Sequence, residues 1–341
     1  MNLGGTTVAL DGFGVEGGFD VLEAGVREAV DDGIKVRVFG PANRIDFGGL
    51  SGVELIDVRE QITNEDDPVP SVRSRPGASV VRAVADTKEG SSQAVVSLGS
   101  TGAMMAASTF GLKRLRGVKR PALAGVVPLP GRPVLFLDIG ANVEVRAQHL
   151  IQFAYLGAAF SSAVLGVDSP EVGLLSVGEE SGKGRAVEIE AHRVLSGSAE
   201  INFIGNVEGR DVPAAGADVI VTDGFTGNIV VKAMEGMVKL VTGAISDAAR
   251  SNPFSAAGGL MLKPALSGLK RDLHPDTTGG AFLLGLRSVA VVGHGSSGSD
   301  GVANAIRAAA RGASVDAPGL TEEMLHRVGL NRGATGLGDQ S

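Results

Sequence analysis

The chain has 341 residues, with 31 Lys and Arg against 38 Asp and Glu, a net charge of −7, and no cysteine, which excludes disulfides, iron–sulfur clusters and thiolate nucleophiles. Its 51 glycines are about twice the average usage without a collagen period, and a 43% hydrophobic content is too high for a disordered protein. With 12 Phe, one Tyr and no Trp in a mildly acidic chain, we expect no nucleic-acid partner.

Short β-branched runs alternate with longer Ala- and Leu-rich amphipathic stretches, the pattern of βαβ units around a mostly parallel sheet. The predicted strands cover 6–10, 35–39, 94–98, 133–138, 172–177, 201–204, 219–222 and 289–292. The predicted helices cover 20–31, 79–88, 102–112, 143–164, 185–195, 227–249 and 301–311. The sequence thus predicts an α/β fold in which a mostly parallel sheet is flanked by helices, within one domain covering 1–312.

Three stretches depart from this alternation. Residues 64–77, with three prolines and three successive acids, predict a long loop. Residues 251–280 predict two short amphipathic segments hinged near Pro264, a helical hairpin that either packs in a dimer interface or contacts a membrane surface. Residues 313–341 predict a partly disordered C-terminal extension whose tail begins at 331. The start of the chain has no signal-peptide pattern and we find no apolar run of ~18 residues, so we expect a cytoplasmic protein.

Glycine clusters follow the predicted strands, and each combines a turn-permitting glycine with Ser, Thr or Asn near a helix start. We expect these loops to meet at one edge of a parallel sheet, where backbone N–H groups and short polar side chains converge on an anion such as phosphate. The alternative is ordinary turn chemistry at strand ends. The loops cover 97–102, 138–142, 178–184, 205–211, 223–228 and 293–298.

Several familiar sites are excluded by spacing. The loop at 178–184 does not match a nucleotide P-loop, because Val177 and Gly184 stand where glycine and Ser or Thr are required. The glycine spacing after the first strand matches a dinucleotide fingerprint, but no clear ribose-binding acid follows. No G-x-S-x-G is present, and the five histidines are far apart, so we predict neither a serine nucleophile nor a metal site. The charged and titratable candidates that remain are Lys183, Arg210, Asp211, Asp223, Lys232, His149 and His294, a set suited to binding an oxyanion.

A basic segment, residues 113–120, holds five cations and no acid. A solvated helix end is the ordinary explanation of such a run. The functional alternative is a docking surface for an acidic protein or a phosphorylated carrier, formed by Arg114, Arg116, Lys119 and Arg120.

Two motifs follow each other in the chain, Asn202-Phe-Ile-Gly-Asn-Val-Glu-Gly-Arg-Asp211 and Asp223-Gly-Phe-Thr-Gly-Asn-Ile-Val-Val-Lys232. Together they resemble the bacterial phosphate acyltransferase family of phospholipid synthesis, the acyl-carrier-protein:phosphate acyltransferases. Similarity extends over roughly residues 6 to 311, including Ser97-Leu-Gly-Ser-Thr-Gly102, Leu137-Asp-Ile-Gly-Ala-Asn142, Gly173-Leu-Leu-Ser-Val-Gly-Glu-Glu180 and Gly293-His-Gly-Ser-Ser297.

The resemblance implies a fold similar to the isocitrate and isopropylmalate dehydrogenases, a homodimer peripheral to the membrane, and no organic cofactor. It implies transfer of a fatty acyl group from acyl-carrier protein to inorganic phosphate, giving acyl phosphate. We expect Lys183 and Arg210 to contact phosphate and the oxyanion, with His149 and His294 as candidates to protonate the leaving thiolate. The remaining predicted phosphate-binding residues are Ser100, Thr101, Asn142, Gly182, Asn206, Asp223, Thr226 and Asn228.

The chain departs from the family pattern in three places. Asp11-Gly-Phe-Gly-Val-Glu16 replaces Asp-Ala-Met-Gly-Gly-Asp, and Arg75-Pro-Gly-Ala-Ser-Val80 stands where a Lys-Lys-Asp-Ser-Ser-Met-like motif is typical. Ser100 replaces an asparagine. These changes leave open a coenzyme A-dependent phosphotransacylase, a weakly active scaffold that binds carrier and membrane, and, at the level of the fold, a dehydrogenase.

Overall fold

The computed structural model describes residues 3–129, 132–214, 216–272 and 275–330, and in them short strands alternate with longer helices. The strands are β1 (Thr7–Asp11), β2 (Lys35–Gly40), β3 (Val53–Asp57), β4 (Ala94–Ser97), β5 (Ala122–Pro128), β6 (Pro133–Leu137), β7 (Glu171–Ser176), β8 (Asn202–Glu208), β9 (Val219–Val221), β10 (Ala281–Leu284) and β11 (Val289–Val292). The helices are α1 (Phe19–Asp31), α2 (Pro68–Ser74), α3 (Ser79–Lys88), α4 (Thr101–Gly111), α5 (Ala147–Phe160), α6 (Ala186–Leu195), α7 (Gly224–Arg250), α8 (Pro253–Asp272), α9 (Ser299–Ser314) and α10 (Ala317–Arg327). A π-helical turn, Ser161–Leu165, continues α5.

These strands form one sheet in the order β3-β2-β1-β4-β11-β10-β5-β6-β9-β7-β8. The first five strands in this order, β3-β2-β1-β4-β11, pair parallel with their neighbours, and so do the last four, β6-β9-β7-β8. Between these two halves, β10 and β5 pair antiparallel with each other and with their outer neighbours. Three successive antiparallel pairings make the two parallel halves run in opposite directions. The mostly parallel sheet is therefore confirmed, whereas the expectation that all the glycine loops leave at one edge is wrong.

Because successive side chains of a strand point to opposite faces of the sheet, the core residues are divided between its two faces. On one face, Leu10 and Leu135 belong to a core cluster that spans both halves and is covered by α1, α5, α6, α9 and α10. On the other face, Ala9 packs with α2, α3 and α4, while Phe136 packs with residues of α7. Ile139 lies against both clusters of this second face. Helices thus flank the sheet on both sides, as predicted.

The stretch 64–77 is not the long loop that its prolines predicted, because it contains α2. Pro68 begins this helix, a position where proline's missing N–H has no intrahelical partner to lose. The Arg75 guanidinium follows the helix, donates to the Asp66 carboxylate at 2.7 Å and holds the pKa of Asp66 at about 2. Arg75, which lies in the altered family motif, therefore links the residues that precede α2 to those that follow it.

The hairpin predicted within 251–280 is wrong, because Pro253–Asp272 form a single helix, but this helix is itself one arm of another hairpin. Its arms are α7 and α8, which contact each other, and the chain turns between them at 251–252. The helix α8 continues past Pro264, so the predicted hinge there is wrong. Many apolar side chains of the hairpin are exposed, including Leu240, Phe254 and Met261.

Three strands escaped the sequence analysis, namely β3, β5 and β10. The predicted extension after 312 is ordered in its first part, since α9 ends at Ser314 and α10 packs on α5. The predicted tail 331–341 lies outside the described residues.

Candidate active site

The glycine loops separate into two groups at opposite edges of the sheet. We call the edge where β6, β7, β8 and β9 end the lower edge, and the edge where β1, β4 and β11 end the upper edge. The lower edge carries the loops 138–142, 178–184, 205–211 and 223–228. The upper edge carries the loops 97–102 and 293–298. Ser100, Thr101 and His294 are thus placed at the other edge from Lys183 and Asn228.

At the lower edge, the loop after β6 packs directly on the first turn of α7. The Gly224 N–H donates to the Asn142 carbonyl at 2.7 Å. A Cβ at position 227 would lie 1.9 Å from the Asp138 carbonyl oxygen, closer than any real contact. The glycines of the 223–228 motif therefore permit backbone contact between this loop and α7.

Asp138 organises this loop from inside. It is fully buried, and its Oδ1 accepts the N–H groups of Leu123, Gly140 and Ala141 at 3.2, 3.1 and 2.9 Å. Its Oδ2 accepts the Asn142 amide at 2.7 Å, and that amide also donates to the Pro121 carbonyl at 2.8 Å. Burial raises the pKa of Asp138, although these donors oppose the shift. Asn142, predicted to bind phosphate, thus uses its amide hydrogens within the fold.

Asp223 caps α7. Its Oδ1 accepts the Thr226 N–H at 2.8 Å, and its Oδ2 accepts the Thr226 hydroxyl at 2.9 Å and a bond from Arg185. Burial acts to raise the pKa of Asp223, but the bonds from Thr226 and Arg185 outweigh it and hold the pKa below its ordinary value. Both predicted residues, Asp223 and Thr226, therefore shape the helix start rather than present free groups.

The loop 178–184 is held by Asn206 and carries Lys183 outward. The Asn206 amide donates to the carbonyls of Gly178 and Glu180 at 3.2 and 2.8 Å, and its Oδ1 lies 2.9 Å from His192 Nδ1. Asn206 is thus a scaffold for the loop, not a free phosphate donor. Gly182 is exposed in the same loop.

At this edge, the side chains of Lys183 and Asn228 have no hydrogen-bond or ionic partner in the described part of the chain. Lys183 is exposed, and its ammonium group is unpaired there. Asn228 is exposed on the first turns of α7, and its Nδ2 lies 3.3 Å from where a Cβ on Gly140 would stand. The N-terminus of the 27-residue α7 adds partial positive charge beside them. This combination is what an oxyanion requires.

His149 begins α5 close to the basic segment. It is buried, and its Nδ1 accepts the Arg146 N–H at 3.1 Å, which places the proton of the neutral ring on Nε2. Burial, followed by the charges of Arg120, Arg146 and Lys119, lowers the pKa of His149. A neutral histidine that caps a helix is a weaker proton donor than the sequence analysis assumed.

Arg210 and Lys232 form surface ion pairs. Arg210 is 71% exposed and lies 2.8 Å from Glu208 and 3.3 Å from Glu179, while Lys232 lies 2.8 Å from Glu235. Arg210, predicted to contact phosphate, therefore forms surface salt bridges instead.

The upper edge holds a buried acid, Asp11. Asp11 accepts the hydroxyls of Ser79 and Ser97 at 2.6 and 2.7 Å, and burial raises its pKa. Ser100 caps α4 by accepting the Ala103 N–H at 3.4 Å, whereas Thr101 and His294 are exposed. Asp11 thus links the end of β1 to the start of α3 and to the end of β4.

Arg185 and Asp138 are lower-edge residues that sequence reasoning missed. Arg185 is followed by Glu188 at helical spacing, a pattern that could have drawn attention to a charged pair at the start of a helix. Asp138 carried no such signal, because a buried carboxylate is recognised only from the donors around it. Arg185 also lines an open groove together with Val143, Glu144, Val145, Ala186 and Val187.

Asn206→Ala is expected to lower the free energy of unfolding by about 1–3 kcal/mol, because two carbonyls and His192 lose their partner. The same change loosens the loop that carries Lys183. Thermal or urea unfolding measures the first effect and steady-state kinetics the second. Asn202→Ala, at the exposed start of the same strand, is the control and should change neither; equal behaviour of both variants would contradict the scaffold role.

Two kinds of feature, a membrane-spanning helix and a metal site, are absent from the described residues. No helix in them is long and apolar enough to cross a bilayer. No group of three or more His, Asp or Glu side chains in them is arranged to hold a metal ion.

The fold is similar to that of solved phosphotransacylases. The chain matches a phosphotransacetylase from Streptococcus pyogenes with a TM-score of 0.62 at 17% identity, covering 92% of this chain and 96% of that one. It matches a branched-chain phosphotransacylase from Enterococcus faecalis V583 with a TM-score of 0.57 at 14% identity, covering 90% and 99%. At these identities the likeness establishes the fold alone.

The sequence identifies the family. A family model described as "Fatty acid synthesis protein" matches residues 7–318, and the chain belongs to this family. It is 44% identical to a phosphate acyltransferase of Elusimicrobium minutum over 77% of this chain and 76% of that protein. It is 38% identical to a phosphate acyltransferase of Heliobacterium modesticaldum over 89% and 93%. The resemblance drawn from the sequence motifs is confirmed.

Proposed function

We propose that this protein is a phosphate acyltransferase that transfers a fatty acyl group from acyl-carrier protein to inorganic phosphate. Family membership supports the reaction class, since the matched relatives are named phosphate acyltransferase. Two observations support the site: the side chains of Lys183 and Asn228 are unpaired in the described part of the chain, and the bond from Arg185 to Asp223 joins the loop of Lys183 to the N-terminus of α7.

In the proposed reaction, a phosphate oxygen attacks the carbonyl carbon of the thioester. A tetrahedral oxyanion forms, the C–S bond breaks, and the carrier thiolate leaves and takes up a proton. Phosphate is partly dianionic at neutral pH, so the reaction needs positioning and charge stabilisation rather than a strong base. Lys183 and the first turn of α7 bind phosphate, and Asn228 donates to the developing oxyanion.

The direct test is phosphate-dependent release of carrier thiol from acyl-carrier-protein thioester, with formation of acyl phosphate. We expect release that saturates with phosphate. No release at concentrations where a family member works would refute the function. A coenzyme A thioester is the second candidate donor, favoured by the fold shared with proteins named phosphotransacetylase, and the same assay with that thioester separates the two.

We propose the basic segment as the docking surface for the carrier. It lies at the lower edge, where Leu115 and Val118 are buried anchors and Arg114, Arg116, Lys119 and Arg120 are exposed. The Gln152 side chain of α5 accepts the Lys119 N–H at 2.9 Å and donates to the Gly117 carbonyl at 2.8 Å. A segment held in this way presents its cations beside the proposed site, as an acidic carrier requires.

The double variant Arg116→Glu, Lys119→Glu is expected to raise the KM for the carrier thioester about tenfold at low salt, because charge reversal opposes encounter with an acidic carrier. The effect should shrink as ionic strength rises. Initial rates across a salt series provide the measurement.

Arg82→Glu, Lys88→Glu makes the same change in net charge on the exposed side of α3 and is the matched control. An equal loss in both variants would show that net charge, rather than a docking surface, controls the rate.

We propose the α7–α8 hairpin as the surface for dimerisation and for peripheral membrane contact of a cytoplasmic enzyme. Among the described residues of α7, Gly224 and Gly227 are buried, whereas Leu240 and Val241 are exposed. Sedimentation of Leu240→Glu against the wild type tests the dimer, and flotation with anionic vesicles tests the lipid contact.

The finer assignment to the isocitrate dehydrogenase-like fold rests on the motif resemblance and is likewise a proposal.

A further inference from the structure

Arg185 links the starts of two helices at the lower edge. Its Nε donates to the two carboxylate oxygens of Glu188 at 2.9 and 3.1 Å, and its Nη2 donates to Glu188 and to Asp223. The Glu188 Oε2 also accepts the Arg185 backbone N–H at 2.8 Å. Glu188 belongs to the first turn of α6, and Asp223 caps α7. One guanidinium therefore bridges two helix starts.

The charges argue against Arg185 as a phosphate ligand. Glu188 is 5% exposed and Asp223 is 1% exposed, so both carboxylates depend on Arg185 for compensation. One cation shared by two acids leaves a net negative group, which repels an anion. Lys183, which has no acidic partner in the described ranges, keeps its full charge for that purpose.

The bond between Arg185 and Asp223 connects the two segments that carry the proposed site residues. Lys183 lies two residues before Arg185, and Asn228 lies five residues after Asp223 on the first turns of α7. The bond from Arg185 to Asp223 therefore joins the loop that carries Lys183 to the helix that carries Asn228. Without it, Asn206 would still hold the loop and the loop 138–142 would still hold the start of α7, but the direct bond between the two segments would be lost.

We propose that Arg185 is a positioning residue that sets the separation of Lys183 and the first turn of α7, the two groups that bind phosphate. This inference rests on the proposed function. Small displacements of groups that orient reactants reduce rates by up to about 100-fold, so the bridge matters even though it does not touch the substrate.

The test compares Arg185→Gln with Arg185→Lys and a matched control. Arg193→Gln removes an arginine from the same helix whose partner, Glu190, is exposed. For Arg185→Gln we expect the KM for phosphate to rise about 10- to 100-fold while the KM for the thioester stays within about twofold. Arg185→Lys keeps the charge but reaches fewer oxygens, so it should raise the KM for phosphate less than Arg185→Gln does. Arg193→Gln should match the wild type.

A merely structural role predicts a different result. Partial unfolding reduces the active fraction, which lowers the apparent kcat and leaves both KM values unchanged. That result, or a phosphate KM in Arg185→Gln within about twofold of the wild type, would overturn the inference. Inactivity of the wild type and of Arg193→Gln would instead refute the proposed function.

A double-mutant cycle provides a second measurement through Asp223→Asn. If the bridge is the coupling element, Arg185→Gln combined with Asp223→Asn should raise the phosphate KM no further than the more severe single change. Independent effects, in which the two fold-changes multiply, would contradict the bridge.

Discussion

Gly227→Ala is expected to abolish phosphate-dependent acyl transfer and to lower the free energy of unfolding by about 3 kcal/mol. A Cβ at this position would lie 1.9 Å from the Asp138 carbonyl oxygen and 3.0 Å from Thr222 Cγ2. The obstacle is backbone, which cannot rotate away as a flexible side chain can. The loop 138–142 and the first turn of α7 would have to separate, and Asn228 would move with the helix. Urea unfolding and initial rates measure the two effects.

Gly236→Ala is the matched control on the same helix. A Cβ at position 236 would meet no atom within 4 Å. Because glycine weakens a helix interior by roughly 0.5–1 kcal/mol relative to alanine, this variant should be slightly more stable than the wild type and fully active. If Gly227→Ala behaved in the same way, the close packing of this loop on α7 would be wrong.

Lys183→Met is expected to reduce kcat/KM for phosphate by at least about 100-fold, since it removes the unpaired cation of the proposed phosphate site. Stability should change by less than about 0.5 kcal/mol, because the exposed ammonium group has no partner to lose among the described residues. Steady-state kinetics with varied phosphate, together with thermal unfolding, separate the two effects.

Lys88→Met, on the exposed C-terminal turn of α3, controls for loss of a surface charge. It should leave both quantities unchanged. Retention of wild-type kcat/KM by Lys183→Met would move the phosphate site away from the lower edge.

Most strands of the two parallel halves were predictable because they repeat a local pattern. The strands at 35–39 and 289–292 are compact β-branched runs, and the helix after the second of them follows the amphipathic period. The strand β5 was missed because Ala-Leu-Ala-Gly-Val-Val-Pro combines residues of weak β-propensity with a closing proline. Pro68 and Pro70 suggested a loop, yet proline at the first turn of a helix is compatible with α2.

Lys183 and Asn228 could be singled out from sequence because motif and residue type coincide there. Asn142, Asn206, Asp223 and Thr226 carried the same kind of signal, but their polar groups bond within the fold. Donors and acceptors look alike in a sequence whether their partner is a ligand or a neighbouring loop. Arg185 was invisible as a bridge because Asp223 is 38 residues away.

The sequence alone determined the family, the α/β class and the glycine-rich loops, since these depend on local residue patterns and on motifs held within short stretches. The tertiary structure decided which loops meet. The antiparallel strands β10 and β5 reverse the second half of the sheet, so Ser100 and His294 stand at one edge and Lys183 and Asn228 at the other. The physical reason is that strand direction depends on which strands exchange backbone hydrogen bonds, a choice made between segments far apart in the chain.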